Sequence, residues 1–274
     1  VLQEIPEIQF ASHLFSTSGI FDLSGTLFRE EKIFYTASSF FDVLPFPVLK
    51  GNYRDLDEIN TIFLSESTAI RFFGDRDPIG QKISFNSGLR NVMELEVRGV
   101  FKDFPQNSHL NARGLISQST FESQIDQNQF FGPQLRLDDV RWRWMQFYTY
   151  IKIHPHVDPG ALAVKLREFC HRYRKPYDEQ QGRVSNIVMQ PLESIHLDSN
   201  RSGEIEIPGS RKLNQFLFAL ALLTVAIAWI NYINLTTAKA VNRGKEVGVR
   251  KVIGAKQNQL RNQFLLEAFF MNSL

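Results

Sequence analysis

The sequence predicts an α+β domain followed by a transmembrane α-helix, and three observations lead there. Strand-like and helix-like segments interleave through residues 1–212, the pattern of a mixed domain in one or two subdomains. A run of 26 positions, Leu213 to Ala238, carries no charge, and cations crowd in directly after it. The rest of the composition is ordinary for a globular chain: 274 residues, 43% apolar and 22% charged, which excludes disorder and low-complexity structure. A net charge of +2 gives no field strong enough to argue for nucleic acid.

The elements of the first 212 residues follow from local pattern. Glu31 to Ala37 reads as a strand, and Ser38 to Leu44 as a short aromatic helix closed by Pro45 and Pro47. Ile62 to Leu64 is a short apolar strand. Ser65 to Phe73 is a helix, with Ser65 as N-cap and Gly74 as its stop. Asp77-Pro78-Ile79-Gly80 makes a turn, and Met93 to Val100 alternates apolar and charged residues as a half-buried strand does. Phe147 to Ile153 is a further strand, Pro159 to Tyr173 an amphipathic helix, and Ser185 to Leu192 another strand. Gln124 to Arg143, rich in Asn, Gln and Asp, reads as an insertion or a joint between subdomains.

The uncharged run centres on Phe216 to Ile230, where Thr224 is the one residue that is not apolar. Extended to Leu235 it gives about 30 Å of helix, a bilayer's hydrocarbon thickness. A buried core helix is the competing reading, but this segment is apolar all round, without the polar stripe of a helix on a soluble core. Trp229 and Tyr232 stand near one end, where amphipathic rings favour the headgroup level. Residues 1–212 carry a net −3 and residues 213–274 a net +5, so the positive-inside rule places the C-terminal side in the cytoplasm and residues 1–212 outside.

Chemistry is sparse. The chain has no G-x-x-x-x-G-K-[ST] phosphate loop, no G-x-S-x-G, no H-E-x-x-H and no paired C-x-x-C, so no catalytic, cofactor or metal residues are expected. His154-Pro155-His156 lacks a third ligand and reads as a loop. The lone Cys170 reads as a small buried hydrophobe in a helix. Past the span, Lys239 to Ala255 suits a helix lying under a membrane: Val249, Val252 and Ile253 share one face, Arg250 and Lys251 leave the other, and Gly254 ends it. Alone, such a segment is also a lipid-facing anchor drawn to anionic headgroups.

Asn231 to Glu267 closely resembles the permease module of the FtsX/MacB-like ABC transporter family, most of all at Glu246-Val247-Gly248-Val249-Arg250-Lys251-Val252-Ile253-Gly254-Ala255. Phe40 to Gly51, Ile62 to Ile83, Val97 to Leu110 and Pro191 to Leu197 resemble the family's periplasmic core domain, in the family's order. The resemblance implies a periplasmic domain over 1–212, a transmembrane helix over 213–238, a cytoplasmic coupling-helix segment over 239–262 and the start of a further transmembrane helix over 263–274. The chain is then a fragment of a longer permease in a bacterial inner membrane. In the resembling permeases the coupling helix docks on a separate nucleotide-binding subunit, which uses ATP and magnesium; this chain is expected to be no enzyme. Glu246, Arg250 and Lys251 are then docking contacts, with Gly248, Gly254 and Ala255 allowing close packing and the turn. The implied partners are that subunit, a second permease copy or module, the lipid bilayer and a periplasmic protein. The implied work is mechanotransmission, with export of a peptide, drug or lipoprotein. The alternatives are a regulator that activates a periplasmic partner such as a cell-wall hydrolase, and a membrane-anchored binding domain without an ATPase.

Overall fold

The computed structural model describes residues 4–88, 92–105, 107–126, 147–182, 184–198, 205, 209–254 and 256–272. Residues 1–209 form one compact unit and Ser210–Leu274 a second. Of the expected insertion or joint between subdomains, residues 127–143 lie outside the described residues.

The first unit is built on eight strands: β1 (Ile8–Leu23), β2 (Thr26–Thr36), β3 (Val48–Gly51), β4 (Thr61–Ser65), β5 (Lys82–Asn86), β6 (Val92–Phe101), β7 (Gly114–Ser117) and β8 (Phe147–Ile153). Their order is β2-β7-β4-β6-β5-β1-β8, with β3 on β6. Because β1 also pairs with β2, six strands close a hydrogen-bonded circuit. A two-residue turn joins β1 to β2. Ser24 and Gly25 both have positive φ, 51° and 92°, which matches the twist of the strands, and Asp22 Oδ1 accepts the Gly25 N–H at 2.7 Å.

Both faces of β4, β7 and the end of β2 are buried, and the period of two shows in neighbouring residues. Ile33, Tyr35, Ile62, Leu64 and Ile116 face one core beneath α2 (Glu66–Phe73) and α3 (Gln118–Asp126). Phe34, Phe63 and Leu115, between them in sequence, face a second core with Phe40 and Phe41 of α1 (Ser39–Val43). The two-sided cover explains why β4 is apolar without alternation. It also requires Gly99 of β6, in register with Phe63, because a Cβ there would lie 2.0 Å from the Phe63 ring.

The helices start and stop for local reasons. Ser65 caps α2, accepting the Thr68 N–H, and Gly74 ends it at φ 61°. At α1 the cap comes from elsewhere in the chain: the Asp57 carboxylate accepts the Ser38 N–H at 2.7 Å and the Ser38 hydroxyl at 2.6 Å. Asp158 caps α4 (Pro159–Gln181) through the N–H groups of Gly160 and Ala161, both at 3.1 Å, and Gly182 closes it in the left-handed region. Leu162, Leu166 and Phe169 of α4 make a third core with Ile5 and Ile8.

Several expectations need correction. Helix α4 runs to Gln181 and not Tyr173, because Asp178 in the added turns holds the returning chain, accepting the Ser185 N–H and hydroxyl at 2.8 Å each. Ser185 to Leu192 is not a strand: the chain is irregular until α5 (Leu192–Asp198), since its fixed points are side-chain bonds to α4 and not a ladder. In the second unit, α6 (Arg211–Val252) is one helix of 42 residues, so the basic segment expected as a separate helix under the membrane is its continuation. The next helix, α7 (Gln257–Asn272), begins six residues before the expected Gln263.

Candidate membrane helix and its basic end

Ser210 starts α6 by accepting the Leu213 N–H at 3.2 Å. From Arg211 to Lys239 the helix is long and apolar enough to cross a membrane, and none of its apolar stretch is buried. Trp229 is 70% exposed, and Phe216, Phe218, Leu223, Ile227 and Ile233 are exposed on all sides of the helix. An apolar belt of this extent has no stable place in water, whereas lipid tails solvate it. Thr224, the polar residue in its centre, donates its hydroxyl to the Leu220 carbonyl at 2.9 Å and so leaves no unmet donor in the hydrocarbon.

Beyond Lys239 the same helix continues for three to four turns, roughly 20 Å. Arg250 and Lys251 occupy its last turn, where the carbonyl end of the helix dipole favours cations. The Ile253 N–H donates to Val249 O at 3.1 Å and the Gly254 N–H to Lys251 O at 3.2 Å; Gly254 turns the chain at φ 99°, a value side chains other than hydrogen rarely adopt. Across the turn, Gln259 of α7 accepts the Lys256 N–H at 3.3 Å.

The six residues expected to act here are placed differently from one another. Arg250 is half-buried and donates from Nη1 to Gln263 Oε1 of α7 at 3.3 Å. Lys251 is exposed. Gly248 and Gly254 are open, with nothing within 4 Å of a Cβ built on either. Glu246 lies in α6, and Ala255 lies outside the described residues. Sequence reasoning did not single out Gln263, whose link to Arg250 spans 13 positions and has no periodic signature. It did place Val252 and Ile253 on an apolar face, and they are the most exposed large apolar residues of this end, at 89% and 79%.

In the first unit, His109 Nε2 and the Tyr150 hydroxyl are hydrogen-bonded at 3.0 Å. His154 and His156 lie in a loop after β8, and no metal-holding cluster of His, Cys, Asp or Glu occurs among the described residues. Cys170 sits buried in α4, and burial pushes its thiol above the usual range.

Comparison with known proteins is consistent across the chain. The model of the MacB-like periplasmic core domain matches residues 1–169, and that of the FtsX-like permease C-terminal segment matches residues 218–272. A macrolide export ATP-binding/permease protein MacB of Aggregatibacter actinomycetemcomitans is 23% identical over 92% of this chain and 35% of its own length. A probable export ATP-binding/permease protein of Pseudomonas fluorescens is 34% identical over 77% of this chain and 28% of its own. An uncharacterized ABC transporter permease of Bacillus subtilis, YvrN, is 20% identical over 96% of this chain and 58% of its own. This chain therefore spans between about a quarter and three fifths of the length of these three relatives. With a periplasmic core domain matched over more than half its residues and a permease segment following in order, the chain belongs to the MacB/FtsX-like family of ABC transporter permeases.

Proposed function

We propose that this chain couples ATP hydrolysis in the cytoplasm to movement of its periplasmic domain, as the permease part of an ABC exporter in a bacterial inner membrane. The observation that carries the reading is the unbroken helix α6. It follows the first unit directly in sequence, holds the whole apolar span, and ends in the Arg250 and Lys251 turn without an interruption. Backbone hydrogen bonds satisfied along its whole length make such a helix stiff enough to pass a displacement from one end to the other. The chain has no phosphate loop of its own, so ATP and its magnesium are handled by an ATP-binding component. In two of the relatives above, ATP-binding and permease functions share one name, so that component is a separate subunit or another segment of the same protein.

Residues 1–209 then lie in the periplasm and the α6–α7 turn in the cytoplasm. The exported cargo belongs to the classes named for the relatives, a macrolide-like drug among them, or is a peptide or lipoprotein. The test is reconstitution of the full-length protein with its ATP-binding component in vesicles. Lys251→Glu is expected to reduce ATP hydrolysis and cargo release together. Unchanged hydrolysis with this reversal, or no association of the two components in the unmutated protein, contradicts the coupling role.

A further inference from the structure

The two cations in the last turn of α6 do different things in the structure, although they are adjacent in sequence. Lys251 is exposed, whereas Arg250 is half-buried and spends a guanidinium N–H on Gln263 Oε1 of the next helix, at 3.3 Å. Between them the chain turns through Ile253, Gly254 and Lys256, fixed by the Ile253 and Gly254 backbone bonds and by Gln259 on the Lys256 N–H. Gly254 has no Cβ and a positive φ, so the turn itself supplies little stiffness beyond these bonds. The Arg250 to Gln263 bond links the end of α6 to α7 across that turn.

We infer that Arg250 is a positioning residue: it braces the end of α6 to α7 through Gln263, so that a displacement of the turn reaches both helices, while Lys251 is left to meet the partner. This deepens the coupling role and rests on it. Arginine suits the brace because its planar fork keeps a fixed direction toward the amide oxygen, which a lysine ammonium on a flexible stem does not. It separates two neighbours of equal charge, one holding the two helices in register and one offering a charge outward.

Two measurements on the full-length protein decide it. The first places spin labels at Lys245 in α6 and Leu266 in α7, both exposed, and reads the distance distribution between them. A narrow distribution is expected in the parent, a broad one in Arg250→Gln and in Gln263→Leu, and a narrow one again in the swap Arg250→Gln with Gln263→Arg. An unchanged distribution in Arg250→Gln overturns the brace whether or not the coupling reading holds. The second compares reconstituted variants with the ATP-binding component. Arg250→Gln is expected to retain the component while lowering ATP-driven cargo release about fivefold, the equilibrium equivalent of one hydrogen bond, and the swap is expected to restore it. Loss of the component by Arg250→Gln, as by Lys251→Glu, with no recovery in the swap, assigns Arg250 to docking and overturns the inference. If the unmutated protein binds no ATP-binding component, the coupling role itself fails, and the spin-label result still decides the brace.

Discussion

Glu30 on β2 and Arg71 on α2 are ion-paired where the helix crosses the sheet, and the Glu30 side chain is only 2% exposed. Arg113, just before β7, reaches the other carboxylate oxygen at 3.8 Å, so one buried charge ties together a helix and two strands that pair in parallel.

The two sides of that pair are not equivalent. Arg71 and Arg113 are 40% and 43% exposed and keep water when the carboxylate is removed, whereas Glu30 does not when Arg71 is removed. Arg71→Leu leaves the buried Glu30 carboxylate with the longer Arg113 contact and is therefore expected to destabilise the first unit by more than Glu30→Gln, because weakening the compensation of a buried charge is the costly half of breaking a pair. Urea unfolding of residues 1–209 checks the order; a larger loss in Glu30→Gln contradicts it.

Gly99→Ala tests the contact between β6 and β4. The added methyl meets the fully buried Phe63 ring, and overpacking of this kind costs about 1–3 kcal/mol. Shortening the ring in Gly99→Ala with Phe63→Leu is expected to return part of it, which a non-additive pair of unfolding midpoints would show.

Glu7 and Lys165 hold α4 against the start of β1. The Lys165 hydrogen bond, helped by a backbone N–H, keeps the Glu7 carboxyl below the usual carboxylate range. A carboxyl lowered in the folded state adds stability that is present above its unfolded pKa and is lost as pH falls through the folded one. Lys165→Met should accordingly lower the melting temperature at pH 7, with the gap to the parent closing as the pH drops below the carboxylate range. A gap that persists at low pH points to the lysine stem's packing and not its charge.

Cys170 should be nearly inert in the native protein. Burial raises its thiol, so the reactive thiolate is scarce at pH 8, and the residue is only 1% exposed besides. Alkylation is expected to be slow in buffer and rapid in denaturant; equal rates would mean that α4 opens readily.

Val247→Pro probes the continuity of α6. A proline inside the helix removes one backbone bond, clashes with the preceding turn and costs about 3 kcal/mol locally. It leaves the apolar stretch before Lys239 intact, so membrane insertion should be unchanged while ATP-driven release is lost. Full activity in this variant would show that an unbroken helix is not needed.

Local signals were legible where a segment's neighbours agree with it. Ser65 and Gly74 bracket α2 as their types foretell, and the alternation from Met93 to Val97 matches one face of β6. The longest strand, β1, went unread because it changes partners along its length. Register shifts between Ile8 and Phe10 and between Thr17 and Gly19 break the period of two that would have marked it. Conversely, Ser185 to Leu192 includes the β-branched Ile187 and Val188 of a strand, but its Ser185 N–H and hydroxyl donate to the Asp178 carboxylate of α4 and not to a neighbouring strand. The membrane helix was plain from the missing charges. The different placements of Arg250 and Lys251 were not, since sequence shows two cations and only the turn after Gly254 brings Gln263 to one of them.

The closed circuit of strands also has a mechanical meaning. Strand β1 is bonded to β2, β5 and β8, and every one of these ladders is antiparallel. A pull along β1 loads the hydrogen bonds of these three ladders together in shear, and where β1 lies between β2 and β5, at Ile20 to Asp22, it is held from both sides. The first unit is thereby fitted to be dragged as a block, keeping its shape under tension along that strand.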